Sequence, residues 1–247
     1  MSRIEEAFKE KKALAGFLTA GDPSLDKTEE FIKEMERAGA ALIEIGIPFS
    51  DPIAEGSAVQ EANVRALSVP GGCTTDMVLD MVERVSRKVS VPLVLFTYLN
   101  PVFKYGYDAF FARCKEAGAE GVIIPDLPYE ERGELTEYAK KHGVEIISMI
   151  APASPERIRT IAKEAEGYLY MITGNRETDA VNDMIENIRS VTKLPIAVSG
   201  CTDIPPLADG LIMGSEAVEL AGRYGADAGA QIYEYVKNLV QRINETA

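Results

Sequence analysis

Glu44, Asp51 and Glu55 crowd one short stretch of the chain, and carboxylates that close can divide proton donation and acceptance between them. Glu44 interrupts an apolar run, Leu42-Ile43-Glu44-Ile45-Gly46-Ile47, which reads as a buried strand. A lone carboxylate inside such a strand is costly unless it has a partner or a task. Pro48 and Pro52 then forbid regular structure, so the chain leaves the strand as a loop that carries Asp51 and Glu55 and closes at Gly56. Two readings stand side by side. In one, the acids surround a pocket. In the other, Glu44 is ion-paired within the strand and the two loop acids are solvated.

The rest of the composition narrows the chemistry. A single histidine, His142, precedes Gly143 at a helix end, where it suits the helix dipole better than catalysis. Three scattered cysteines, Cys73, Cys114 and Cys201, show no metal-ligand or disulfide spacing and fit a reducing, cytoplasmic setting without a metal. A net charge of −13 argues against nucleic acid and anionic membranes as partners. No run approaches the about 18 apolar residues of a membrane span, and the charged first ten residues read as an amphipathic helix rather than a signal peptide. Acid–base work, if present, falls to carboxylates.

The elements that must position them follow a regular grammar. A helical face ends at a glycine, a short turn follows, and an apolar strand begins. Gly39, Gly118, Gly143, Gly167 and Gly225 all punctuate the chain this way, and the steps from Gly118 to Gly143 to Gly167 are 25 and 24 residues, one βα unit each. Strands are expected at 13–19, 42–47, 92–98, 121–124, 144–149, 168–172, 195–199 and 210–213. Helices are expected between them, including 59–67, 107–117, 130–141 and 155–167. Eight such units across 247 residues fit one (β/α)8 barrel domain with an extra N-terminal helix. The competing fold is an open doubly wound sheet, weakened by the absence of a Gly-x-Gly-x-x-Gly after the first strand. Only nine residues separate Gly200 from Gly210, with two prolines among them, so the helix between strands seven and eight should be shortened or missing and the wall thin there.

Barrel sites stand on the C-terminal ends of the strands. Thr19, Glu44, Tyr98, Asn100, Asp126 and Tyr170 occupy those ends, and Phe17, Phe96, Leu99, Leu127 and Tyr170 could wall a flat apolar ligand or simply fill the core. Gly214-Ser215 follows strand eight and opens a helix, whose free amides favour a phosphate, although the pair is also an ordinary helix start.

At this point a resemblance emerges. Phe17-Leu18-Thr19-Ala20-Gly21-Asp22-Pro23, the segment from Glu44 through Pro48-Phe49-Ser50-Asp51-Pro52 to Ala54, Tyr98-Leu99-Asn100-Pro101, Asp126-Leu127-Pro128 and Gly214-Ser215 resemble the tryptophan synthase alpha subunit family over nearly the whole chain. The resemblance implies retro-aldol cleavage of indole-3-glycerol phosphate to indole and glyceraldehyde 3-phosphate, in tryptophan biosynthesis, with no cofactor in this subunit. It implies a pyridoxal-phosphate-dependent beta subunit as partner, faced by the loop 49–56. It makes Glu44 the acid–base group and Glu55 the acid at the indole N–H. Phe17, Thr19, Tyr98, Asp126 and Tyr170 become substrate contacts, and Gly174, Gly200, Gly214 and Ser215 the phosphate loops.

Three departures accompany it. The family has Asp at position 55 and usually Pro at position 57, where this chain has Glu55 and Ser57. Only Met171 and Ile172 separate Tyr170 from Thr173-Gly174, leaving a short lid. The family's Gly-Phe-Gly after strand seven reads Ser199-Gly200-Cys201. Besides an active lyase, the sequence therefore admits a weakly active chain that binds and regulates a beta subunit, or a barrel acting on another phosphorylated aldol.

Overall fold

Eight short runs of aliphatic and β-branched residues form strands, and each is buried along nearly its whole length, as strands covered on both faces must be. The computed structural model describes residues 1–174, 176–201 and 203–245. The strands are β1 (Ala13–Thr19), β2 (Leu42–Gly46), β3 (Leu93–Phe96), β4 (Gly121–Ile123), β5 (Glu145–Ile150), β6 (Glu166–Ile172), β7 (Ile196–Ser199) and β8 (Gly210–Met213). All neighbours are parallel and β8 pairs with β1, so the sheet closes in chain order as the expected barrel. The open sheet is excluded.

The helices are α1 (Arg3–Glu6), α2 (Leu25–Arg37), α3 (Ser57–Leu67), α4 (Thr75–Ser86), α5 (Leu99–Tyr105), α6 (Tyr107–Ala117), α7 (Gly133–His142), α8 (Pro155–Lys163), α9 (Thr178–Arg189), α10 (Glu216–Tyr224) and α11 (Gly229–Glu245). Local chemistry sets their ends. Thr74 caps α4 by accepting from the Met77 amide, and Ser154 caps α8 at the Arg157 amide with Pro155 in the first turn. Gly118 and Gly143 close α6 and α7 in the left-handed region, at φ +83° and +67°.

Four expectations change. The N-terminal helix is one turn, Arg3–Glu6, and Phe8 just beyond it is buried. The helix expected over 130–141 splits into a 3₁₀ turn, Tyr129–Glu131, and α7. That expected over 155–167 stops at Lys163, and β6 begins before Gly167. The extra helix α5 follows β3, its first amide (Leu99 N) donating to Asp126 Oδ1 at 2.9 Å.

The helix between β7 and β8 is indeed absent among the described residues; Thr202, inside that connection, lies outside them. The wall is nevertheless closed. A strap through Ile204, Pro205 and Ala208, all buried, crosses the place where a helix would lie. The flanking Val198, Leu211 and Met213 are at most 3 % exposed. Asp209 fastens the strap: its Oδ2 accepts from the Ile196 amide at 2.7 Å and from Arg189.

The opposite end of the barrel is plugged. Ser2 and Glu5 form a reciprocal capping box that sets α1, and Ile4 and Phe8 insert between the strand starts. Three strand-start glycines make this possible. A Cβ at Gly210 would lie 2.8 Å from Phe8 Cε1 and 2.8 Å from the Ala13 carbonyl oxygen, and one at Gly121 would lie 3.0 Å from Ile4 Cδ1. At Gly167 it would come within 2.7 Å of Glu145 Oε2. Gly210→Ala should therefore destabilise the chain by about 2–4 kcal/mol in urea unfolding, because backbone blocks one side of the new methyl. Gly133→Ala, with open space around its Cβ at the start of α7, should be neutral or stabilising by up to about 1 kcal/mol.

Candidate active site

Strand register places Glu44 inside the barrel. It pairs with Phe17 on β1 and Val94 on β3, both of which pack in the interior cluster with Phe96, Tyr168 and Tyr170. Alternation along β2 turns Ile43 and Ile45 outward to the helices and leaves Glu44 pointing in. Gly46 completes the arrangement, since a Cβ there would meet Phe17 Cζ at 2.9 Å; the Phe17 ring lies over that glycine.

Glu44 has no exposed surface. Its Oε1 accepts a hydrogen bond from the Tyr168 hydroxyl, and its Oε2 has no partner. No cation faces it, so the ion-paired reading of the strand acid does not hold. Burial pushes its pKa up from the ordinary carboxylate value to about 7, and the Tyr168 bond pulls partly the other way. A carboxyl poised there both gives and takes a proton near neutrality.

Glu55 stands at the end of the following loop, half-buried. Its Oε2 accepts from Asn63 Nδ2 at 2.8 Å, and burial raises its pKa against the lowering effect of Asn63 and Tyr98. Asn63, 4 % exposed on α3, uses its other amide atom to accept from the Phe49 amide at 3.2 Å. One side chain thus fastens both ends of the acid loop. Tyr98 braces the middle: its hydroxyl accepts from the Ala54 amide at 3.1 Å, and its ring stacks on Phe49 at 5.1 Å. Asp51 is exposed and accepts from Ser50 Oγ at 2.6 Å, as a solvated loop charge would. Asp22 and Arg65 make a bidentate pair at 2.9 and 2.8 Å that ties the β1 turn to α3 beside the same loop.

Of the five residues expected to wall a ligand, Phe17, Phe96 and Tyr170 pack in the interior cluster, whereas Leu99 and Leu127 pack against the outer one. Phe17 and Phe96 meet edge to face at 5.6 Å, and Phe96 and Tyr98 at 6.5 Å. Tyr170 lies 9 % exposed with its hydroxyl 3.4 Å from Ser199 Oγ. Thr19 is buried with its hydroxyl unpartnered. A cavity of about 400 Å³ opens over the ends of β4, β5 and β6, lined by Ala54, Pro125, Leu127, Met149 and Ile172, with Arg132 and Arg157 also on its wall. Neither Glu44 nor Phe17, Thr19, Tyr98 or Tyr170 is among its lining residues, and Glu44 itself is fully buried. Asp126 has one oxygen committed to the Leu99 amide, so it shapes the start of α5.

The anion-seat candidates group around two strand ends. Thr173 Oγ1 donates toward the carbonyls of Ser199 and Gly200 at 3.0 and 2.9 Å, bringing Gly174 and Gly200 onto joined loops. Both glycines have positive φ, +64° and +83°. Ser215 opens α10 without a side-chain cap, its hydroxyl donating instead to Glu219 Oε1 at 2.8 Å, which leaves the first-turn amides without a side-chain acceptor. Glu216 and Glu219 stand in that same turn, so attraction for an anion rests on backbone amides alone. His142 lies at the far end of α7 on Asp108, at 2.7 Å, outside the site.

Tyr168 and Asn63 escaped the sequence reading, and Thr173 entered it only as the neighbour of Gly174, with no role of its own. Tyr168 carried a usable signal, lying two residues before Tyr170 on one strand face. Asn63, a polar residue on an unremarkable helix, carried none.

A closed (β/α)8 barrel with an interior carboxyl poised near neutral pH, an aromatic wall and glycine-rich loops at β6 to β8 defines an enzyme-type barrel site. Comparison with known proteins gives the family. The family described as tryptophan synthase alpha chain matches residues 4–246. The tryptophan synthase alpha chain of Lacticaseibacillus casei is 38 % identical over 97 % of this chain and 94 % of its own. The crystal structure of tryptophan synthase subunit alpha from Legionella pneumophila superposes with a TM-score of 0.90 at 32 % identity, covering 99 % of both chains. A chain of the tryptophan synthase complex from Pyrococcus furiosus gives 0.82 at 30 % identity, covering 94 % of this chain and 97 % of that one. The chain belongs to the tryptophan synthase alpha chain family.

Glu44 also ties stability to pH. Its folded pKa lies above its unfolded value, so the folded state holds the proton more tightly between about pH 4.5 and 7. Stability is therefore lost as pH rises through that window, by up to about 3 kcal/mol. Glu44→Gln should flatten this slope in urea titrations at pH 5 and pH 8 and be the more stable chain at pH 8.

Proposed function

We propose that this chain is a lyase that cleaves indole-3-glycerol phosphate to indole and glyceraldehyde 3-phosphate, with Glu44 as the acid–base group. The observation that carries the reading is a fully buried Glu44, raised to about pH 7, on the interior face of the strand preceding the acid loop. Carbon–carbon cleavage here needs a proton delivered to the indole ring carbon and one removed from the glycerol hydroxyl. A carboxyl that turns from Tyr168 toward the mouth supplies both in sequence. Glu55 accepts from the indole N–H as positive charge develops, and Asn63 holds it for that task. Phe17, Thr19, Tyr98 and Tyr170 face the flat ring, and the backbone amides at Gly174, Gly200, Gly214 and Ser215 hold the phosphate. Among the described residues no group of three or more acidic, histidine or cysteine side chains is placed to hold a metal ion.

The partner is a tryptophan synthase beta subunit docking on the mouth. Ile53 on the acid loop and Phe103 on α5 are 79 % and 67 % exposed, apolar surface of the kind that partners cover. The unpaired cysteines suit a reducing compartment such as the cytoplasm, and no helix among the described residues is long and apolar enough to cross a membrane.

Purified chain should release indole from indole-3-glycerol phosphate, and Glu44→Gln should lower turnover by at least about 1000-fold while unfolding cooperatively. Turnover unchanged in that variant sinks the assignment. Glu55→Asp should lower kcat by about 10–100-fold, because the shorter side chain loses its hold on Asn63; a gain would mean a site in decay, and would favour the regulatory reading. Phe103→Asp should leave indole release by the isolated chain intact and weaken stimulation of a beta subunit by at least about 10-fold, read in the coupled assay.

A further inference from the structure

The plug at the closed end of the barrel reaches the acid at its open end through one aromatic contact. The Phe8 ring packs against the Tyr168 ring with centroids 5.4 Å apart and planes 30° apart. Tyr168 is fully buried, and its hydroxyl is the one hydrogen-bond partner of Glu44 among the described residues. Phe8 Cε1 lies where a Cβ on Gly210 would be 2.8 Å away, so β8 backbone limits its movement on one side. The segment carrying Phe8 is pinned at its start by Arg3 to Glu120 and the Ser90 carbonyl, by Ser2 Oγ to Glu145 Oε2 at 3.1 Å, and at its end by Lys12 to the Pro206 carbonyl at 2.8 Å. The plug is thus tied to β4, β5 and the β7–β8 strap.

The geometry points to Phe8 as a positioning residue: the N-terminal plug seats Tyr168, and through that hydroxyl fixes the resting place of the Glu44 carboxyl. This rests on Glu44 being the acid–base group. The seat matters because Glu44 has no other holdfast. Its neighbours across the sheet, Phe17 and Val94, are apolar, and its second oxygen is unpartnered. The titratable groups that face it from the packed strands are the Tyr168 and Tyr170 hydroxyls, both on β6. A shift of the Tyr168 ring by a few tenths of an ångström alters the only hydrogen bond that steadies the charged form.

The test separates this role from mere stability. Glutamate labelled at the side-chain carboxyl carbon, with the Glu44 signal assigned by Glu44→Gln, is titrated by NMR in the ligand-free chain, so the readout does not depend on lyase activity. Tyr168→Phe should raise the Glu44 midpoint by about one pH unit, because burial stays and the stabilising bond goes. Phe8→Leu, which keeps the plug apolar, should raise it by about half of that. In the double variant the midpoint should equal that of Tyr168→Phe alone. Ile4→Val, which trims the plug beside Gly121, should lower stability and leave the midpoint in place. The pH limb of kcat for indole release should follow the midpoint in each variant with KM unchanged. A Phe8→Leu chain with an unmoved midpoint overturns the proposal. So does a Phe8→Leu shift that persists in the Tyr168→Phe background, or a downward shift, which would mean that the plug only excludes water. A chain that shows the coupling but releases no indole would overturn the lyase assignment and leave the positioning role standing.

Discussion

A carboxyl group without water and without a counter-ion is the constraint around which this barrel is arranged. Glu44 gives up hydration and receives one tyrosine hydrogen bond in return. That imbalance keeps its proton affinity near neutrality, and it persists only while the surroundings stay dry and rigid. The interior rings of Phe17, Phe96, Tyr168 and Tyr170 keep it dry. The floor of Ile4 and Phe8 closes the other end. The closed hydrogen-bond ring of the sheet keeps these side chains from spreading apart. The acid's proton affinity is thus a property of the whole barrel cross-section.

The second acid is held on other terms. Glu55 stands on a loop, half in solvent, and its place depends on polar contacts from α3 and β3. A loop with two prolines has few conformations to lose, and Asn63 and Tyr98 select among those that remain. The Glu55 carboxylate is met by a helix that presents an amide donor at 2.8 Å. Position 55 and α3 are therefore best understood together.

How much of this was legible in the sequence depends on the kind of signal. The barrel was, because each βα unit carries both a strand-length apolar run and a terminating glycine, and the repeated step needs no tertiary information. Glu44 was, because a charge in a buried strand is conspicuous. The aromatic wall was in part, because Phe17, Phe96 and Tyr170 lie on strands, whereas Leu99 and Leu127 lie beyond strand ends and pack outward. The tyrosine that holds Glu44 was not named, because Tyr168 and Tyr170 share a face and only the tilt of the strands decides which ring reaches β2. Asn63 was silent, since a buried asparagine on a helix looks like any other until its two partners are known. The thin wall expected between β7 and β8 was half right: the helix is missing, but the prolines that rule it out also stiffen the strap that covers the gap. Helix α5 was hidden because its first amide is satisfied by Asp126, a residue one unit further along the chain.

That strap has a consequence for how the ring is held closed. β1 and β2 share five register pairs, whereas β7 and β8 share only two, Ala197 with Gly210 and Val198 with Leu211. This joint is the shortest run of rungs in the ring, and it is guarded from outside by Asp209 and a proline-stiffened band instead of a packed helix. The joint also abuts the glycines at positions 200 and 214. The loops carrying these glycines therefore hang on the narrowest joint of the ring, held by a carboxylate and two prolines where a fully helix-clad barrel would rely on packing.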